Sequence, residues 1–262
     1  MLVDCHSHLH DPDFDADRQA VIARAAQAGV GVVLCAGQDR QDNERAAQIC
    51  ASSALLDLRP CFGFHPDRFA DERPLPGRAE LDALLAQIRA RASEIAALSE
   101  VGLDRWVARS EQRRQAQARF LEQLAGLAVE LDLPLVVHSR SAGHYAIDLL
   151  RSTGARRVLM HAFDGKASHA SRAAGDGFFF SIPPSVMRSD QKRKLVRCLP
   201  LEALCLESDA PALGPERGVP SEPAQLALVV RAVAEIRNID PELVEQASTR
   251  NARRLFGLQL GR

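Results

Sequence analysis

Six residues of this chain have the side chains to hold a divalent cation, and each follows a short apolar run. His6 and His8 close the run Leu2–Cys5, Glu100 follows Ile95–Leu98, and His138 follows Leu135–Val137. His161 follows Val158–Met160, and Asp209 comes just after Leu204–Leu206. Four imidazoles and two carboxylates are soft-to-intermediate nitrogen and hard oxygen donors, the mixed set that binds divalent metals and activates water. His6 and His8 are spaced i, i+2, so at a strand end both rings point the same way and can grip one ion. Singly, each has a plain structural reading: a surface or core histidine, a solvated loop carboxylate, or a turn with a helix-capping aspartate at Asp209-Ala210-Pro211. Six such residues at successive strand ends are hard to explain in that way.

The elements that must position them alternate along the chain. Leu2–Cys5, Gly31–Ala36, Leu58–Phe62, Ile95–Leu98, Leu135–Val137, Val158–Met160, Phe178–Ser181 and Leu204–Leu206 read as strands, short and continuously apolar as in parallel sheets covered on both faces. Helical patterns fall near Arg18–Ala28, Asn43–Ser52, Glu80–Ala92, Gln115–Asp132, Tyr145–Arg151, Ala167–Ala174, Ser189–Arg197, Ala224–Ile236 and Pro241–Leu255. In the fourth, Phe120, Leu124, Leu127 and Leu131 repeat at spacings of three and four. Eight strands alternating with helices over 262 residues suit a (β/α)8 TIM barrel, one domain spanning 1–262. A doubly wound open sheet alternates in the same way. The barrel is preferred because it brings all the strand ends to one face.

Composition narrows the function. With 33 Lys and Arg against 34 Asp and Glu, the net charge is −1, which excludes a surface that coats nucleic acid by charge alone. Hydrophobic residues at 46% exclude a disordered chain. No apolar run reaches the roughly 18–20 residues of a bilayer span, so no membrane partner is expected. Met1-Leu2-Val3-Asp4-Cys5-His6 has neither a basic n-region nor an apolar h-region, so secretion is not expected. Cys5, Cys35, Cys50, Cys61, Cys198 and Cys205 show no CxxC spacing and read as free thiols, which points to the cytoplasm. Neither GxGxxG after the first strand nor GxxxxGK[ST] occurs, so no nucleotide cofactor is expected.

Several segments, in order, carry a family resemblance across essentially the whole chain. They are Asp4-Cys5-His6-Ser7-His8-Leu9, Gly63-Phe64-His65-Pro66, Glu100-Val101-Gly102-Leu103-Asp104, Leu133-Pro134 with His138-Ser139-Arg140, His161-Ala162-Phe163, Glu207-Ser208-Asp209-Ala210-Pro211 and Asn251 with Arg254-Leu255-Phe256. The chain resembles the TatD metal-dependent deoxyribonucleases, a branch of the amidohydrolase-like barrels. Ser181-Ile182-Pro183-Pro184-Ser185-Val186 with Pro211-Ala212-Leu213-Gly214-Pro215 is most similar to the eukaryotic-type third TatD-domain subgroup.

The resemblance implies a two-metal centre: His6, His8 and Asp209 on one ion, with Glu100 bridging to a second held by His138 and His161. Two divalent ions about 3.5–4 Å apart can turn water into hydroxide near neutral pH and clamp the attacking and leaving oxygens of a phosphodiester. Zn²⁺, Mn²⁺, Co²⁺ and Ni²⁺ suit these donors better than Mg²⁺, which the family is nevertheless described as using. Asp209 would orient the water or take its proton, and Glu207 would orient a ligand histidine. His65 would hold a phosphate oxygen or act as general acid, and Arg140, Arg188 and Arg217 would bind phosphate. In the basic stretch Arg188, Lys192, Arg193, Lys194 and Arg197, all but Arg188 read as a solvated helix face.

Departures from the family pattern fall on the substrate side. Arg105-Trp106 follows Gly102-Leu103-Asp104 where many relatives have an aromatic residue, His65-Pro66-Asp67 replaces His-Pro-His, and Ser221-Glu222-Pro223 replaces Asn-Glu-Pro. The activity implied is 3′→5′ exonucleolytic cleavage of a DNA strand end. The alternative is hydrolysis of an amide, a lactone or an aminoacyl-tRNA ester on the same centre. A basic rim would favour the first and a closed apolar pocket the second. A non-catalytic scaffold would require a broken ligand position, and none is seen.

Overall fold

The computed structural model describes residues 1–259. Its strands are β1 (Leu2–Ser7), β2 (Val30–Ala36), β3 (Asp57–Cys61), β4 (Leu98–Gly102), β5 (Leu135–His138), β6 (Val158–Met160), β7 (Phe179–Ile182) and β8 (Leu204–Leu206). The helices are α1 (Arg18–Gln27), α2 (Arg40–Ser52), α3 (Arg78–Ala90), α4 (Glu111–Glu130), α5 (Gly143–Thr153), α6 (Ala167–Gly175), α7 (Asp190–Cys198), α8 (Leu226–Arg237) and α9 (Pro241–Phe256).

Every ladder is parallel: one runs β1-β2-β3, the other β4-β5-β6-β7-β8. A bridge from Phe62 to Leu98 joins β3 to β4. At the opposite seam the Asp209 N–H donates to the His6 carbonyl at 2.9 Å, and the Ser208 N–H donates to Asp4 Oδ1 at 2.8 Å. The sheet therefore closes into a (β/α)8 barrel, which decides against the open sheet that the same alternation allowed.

Burial follows the period of two. Val3, Cys5, Val32, Leu34, Val136, Leu159, Phe179 and Cys205 form one buried cluster with Ala252, Leu255 and Phe256 of α9. Their neighbours on the strands, among them Val33, Cys35, Leu135, Val137, Val158, Met160, Phe180 and Ile182, pack with the surrounding helices. Two-sided burial is why these strands read as unbroken apolar runs. Asn251 of α9 donates to the carbonyls of Leu201 and Leu204 at 2.8 and 2.7 Å, fixing the helix beside β8.

β4 is the one strand whose position departs from the apolar pattern. Expected at Ile95–Leu98, it runs Leu98–Gly102 and carries Ser99 and Glu100 at 1% and 2% exposure. A strand that buries polar functional groups cannot be found by apolarity. The shift puts Glu100 inside the strand, not after it, and the scaffold holds it rigidly.

Two glycines make that placement possible. A Cβ on Gly63 would lie 2.3 Å from the Glu100 nitrogen, and one on Gly102 would lie 2.0 Å from the His138 carbonyl oxygen. Gly102 also has φ +149°, a backbone that side chains disfavour. Gly126, exposed in the middle of α4, has nothing within 4 Å of its would-be Cβ. Gly126→Ala is expected to raise stability by about 0.5–1 kcal/mol, the usual helix-interior difference. Gly63→Ala is expected to lower it and to displace Glu100. Denaturant unfolding of the two variants checks this, and equal stability of both would refute the tight packing behind Glu100.

Candidate metal centre

The C-terminal ends of five strands, β1, β4, β5, β6 and β8, deliver the six sequence-predicted ligands to one place. Glu100 lies at the middle, and its two oxygens face different partners. Oε2 is 3.4 Å from His6 Nε2 and 3.4 Å from His8 Nε2. Oε1 is 2.6 Å from His138 Nδ1 and 3.1 Å from His161 Nε2. Asp209 Oδ1 completes the first side at 3.6 Å from His6 and 3.8 Å from His8. His6 and His8 bring their Nε2 atoms to 3.2 Å of each other, so the i, i+2 pair converges as its spacing requires.

Each ring has its other nitrogen engaged. His8 Nδ1 meets the Ala36 carbonyl at 2.7 Å, and His6 Nδ1 lies 3.4 Å from Ser99 Oγ. His138 Nε2 is 3.0 Å from Asp104 Oδ2, and His161 Nδ1 is 3.2 Å from Glu207 Oε2. These outer partners fix which nitrogen faces the centre, the arrangement that orients metal-binding imidazoles. Glu207 is itself saturated, accepting from Ser181 Oγ at 2.6 Å and the Ala162 N–H at 2.8 Å. Asp209 and Ala162 occupy left-handed backbone, φ +50° and +37°, a conformation that costs roughly 1–3 kcal/mol at a non-glycine residue.

The electrostatics fit a cation. Burial resists charge on Glu100, yet the imidazoles of His65, His161 and His138 hold it well below the usual carboxylate range. Burial pushes Asp209 up to about 6, and burial together with the neighbouring His161 pushes His6 down to about 3. His161 stays well above the ordinary histidine value against its burial, because Glu207 and Glu100 face it. Imidazoles and carboxylates are sharing protons where a divalent ion can replace them. Three groups bring their donor atoms within 4.8 Å of one another: His6, His8 and Glu100; His6, His161 and Asp209; and His65, Glu100 and His138. The donor set and its outward-facing hydrogen bonds therefore fit divalent metal.

The remaining candidates divide. His65 reaches the centre, its Nε2 3.3 Å from Glu100 Oε1, and is placed as well for a ligand as for the substrate role expected of it. Burial opposes charge on this ring, but Glu100 and Asp67 raise it to about 10. Arg140 lines a cavity of about 560 Å³ over the centre. Arg188 and Arg217 do not line it: Arg188 is turned to the Gly214 carbonyl at 3.1 Å, and Arg217 is exposed in the segment after β8.

Lys192 reverses the reading of the basic stretch. It is buried at 8% exposure and lines the cavity, whereas Arg188 is exposed. Its Nζ donates to the carbonyls of Ala162 and Phe163 at 2.6 and 2.8 Å. The signal was present in the spacing, because Lys192 shares a helix face with the buried Leu195 and Val196 at i+3 and i+4. Asp104 was also passed over. It pins His138 while its Oδ1 accepts from the Trp106 and Val107 N–H groups, and no local pattern marks such a role.

Comparison with known proteins shows the family and the fold. The family model described as TatD related DNase matches residues 3–257. Deoxyribonuclease TATDN3 of Homo sapiens is 41% identical over 261 residues, covering 97% of this chain and 94% of its own. The metal-dependent hydrolase TatD of Mycobacterium tuberculosis is 34% identical, covering 98% of each chain. The solved structure of YjjV, a TatD homologue from Escherichia coli, superposes with a TM-score of 0.88 at 27% identity over 98% of both chains. A dihydroorotase at 16% identity and TM-score 0.62 shares the fold alone. By sequence and by architecture, the chain belongs to the TatD family of metal-dependent deoxyribonucleases.

Proposed function

We propose that the protein is a deoxyribonuclease that hydrolyses the phosphodiester at a DNA strand end, with His6, His8 and Asp209 placed to hold one divalent ion, His138 and His161 a second, and Glu100 able to serve both. The observation that carries this is the division of the Glu100 oxygens, one facing His6 and His8, the other facing His138 and His161. Ions held there supply Lewis acidity for generating hydroxide and for neutralising the phosphodiester. Imidazole and carboxylate donors suit Zn²⁺, Mn²⁺, Co²⁺ or Ni²⁺ more than Mg²⁺. Five of the six cysteines are buried and all six are free, which supports a reducing, cytoplasmic setting. No helix among the described residues is long and apolar enough to cross a membrane.

The chain's own groups divide the work. Asp209, beside His6 and His8, takes the proton of the attacking water as its oxygen bonds to phosphorus. His65, next to Glu100 at the centre, holds a phosphate oxygen and gives a proton to the departing 3′ oxygen as the P–O bond breaks. Glu207 keeps His161 in place. Arg140 and Lys192 put two cations on a cavity wall that also carries Pro211, Ala212 and Leu213. That wall is not the closed apolar pocket expected for a small amide or lactone.

Elemental analysis of the purified protein is expected to give about two divalent ions per chain. Metal-loaded protein is expected to release mononucleotides from single-stranded DNA. Glu207→Gln should lower kcat/KM roughly 10–100-fold, the usual effect of an outer partner, and Glu100→Ala or Asp209→Ala should lower it further. Hydrolysis of small amides or esters with DNA untouched would overturn this reading.

Lys192 yields a separate prediction. Burial lowers its ammonium from 10.5 to about 8, so its charge destabilises the fold at neutral pH. That cost is complete below about pH 8 and vanishes as pH rises towards 10.5. Relative to Lys192→Met, the wild-type chain should therefore gain about 3 kcal/mol between pH 7.5 and pH 10.5. Urea unfolding at both pH values measures the difference. A pH-independent gap would show that Lys192 keeps an ordinary ammonium pKa in the fold, so that burial does not oppose its charge.

A further inference from the structure

All ten phenylalanines of the chain are buried, whereas its single tryptophan and single tyrosine are exposed, Trp106 at 57% and Tyr145 at 41%. They lie on the segments that follow β4 and β5, and each has an arginine over one ring face. The Arg140 guanidinium carbon lies 4.9 Å from the Trp106 ring centroid, and that of Arg105 lies 3.0 Å from the Tyr145 centroid. Arg140 also lines the cavity, so one side chain separates the indole from the candidate reaction site.

The backbone that carries the indole is held from several directions. The Trp106 backbone N–H donates to Asp104 Oδ1 at 2.9 Å, and Arg109 Nε donates to the Trp106 backbone carbonyl at 3.3 Å. The Arg105 N–H donates to the Arg140 carbonyl at 3.0 Å, tying the two segments together. Asp104 is the carboxylate that pins His138, so the platform and the metal centre share a support. A large aromatic surface costs free energy to leave in water. Here it is exposed, carried on a braced backbone and backed by a cation that lines the metal cavity.

Flat aromatic faces combined with cationic side chains bind single-stranded nucleic acid, because every base offers a π-face and every linkage a charge. We propose that Trp106, backed by Arg140, is the stacking platform for the base next to the scissile phosphodiester of a single DNA strand. The strand then leaves the metal centre across the segments after β4 and β5. This rests on the nuclease reading and adds to it a path for the substrate. It also gives the unusual Arg105-Trp106 pair a role in recognition, and explains how a chain of net charge −1 holds a polyanion locally.

As the only tryptophan, Trp106 reports on itself. Titrating the full-length, metal-loaded protein with a hydrolysis-resistant phosphorothioate oligothymidylate is expected to quench its fluorescence saturably. The same backbone with abasic sites in place of the terminal bases should bind without quenching. In hydrolysis of ordinary single-stranded DNA, Trp106→Ala should raise KM about 5- to 150-fold, and Trp106→Phe should recover most of the loss. On the abasic strand, Trp106→Ala should match the wild type.

Binding without quenching, or an equal penalty on both strands, would overturn the platform. So would a change in oligomeric state in Trp106→Ala with its DNA kinetics intact, since the ring would then serve a second copy of the chain. Quenching without any hydrolysis would instead remove the nuclease reading and leave the platform standing.

Discussion

The rest of the structure depends on one carboxylate kept ionised inside a barrel. Glu100 is 2% exposed, where an unpaired negative charge would cost several kcal/mol. It is tolerated because imidazoles approach both of its oxygens and because those imidazoles are themselves held from behind. His138 is braced by Asp104, His161 by Glu207 and His8 by the Ala36 carbonyl. Removing any one brace releases a ring rather than a contact. The fold supplies what this requires: parallel strands whose ends meet at one face, glycines that let Gly63 and Gly102 approach neighbouring backbone, and an interior sealed by α9.

How much of this was legible follows from where each residue stands relative to an apolar run. His6, His8, His138, His161 and Asp209 mark abrupt changes from buried strand to polar donor, and those changes are visible one residue at a time. Glu100 was legible as a donor but not as part of its strand, because β4 buries Ser99 and Glu100 and so hides its own boundary. The barrel itself was half legible: alternation implied parallel strands, but closure rests on the Phe62–Leu98 bridge and the Asp209-to-His6 hydrogen bond, which join distant segments.

The substrate side was harder to read because charge alone does not tell a solvated cation from a buried one. Five basic residues between 188 and 197 look alike in composition. Helix periodicity turns Lys192 inward onto the Ala162 and Phe163 carbonyls, whereas Arg188 precedes α7 and turns to the Gly214 carbonyl. Asp104 stands in a recognisable motif, but its partner His138 is 34 residues away, so its role does not show locally. Electrostatics that matter here are local. Divalent ions, Arg140 and Lys192 can hold a phosphodiester although the whole chain is nearly neutral.

The central claim is that Glu100 bridges two ions. Electron paramagnetic resonance of the protein loaded with Mn²⁺ tests it most directly, because two ions about 3.5–4 Å apart and joined by a carboxylate couple magnetically. The account predicts an exchange-coupled spectrum at saturation that gives way to isolated-ion signals in Glu100→Gln. Uncoupled signals from the saturated wild-type protein would contradict it.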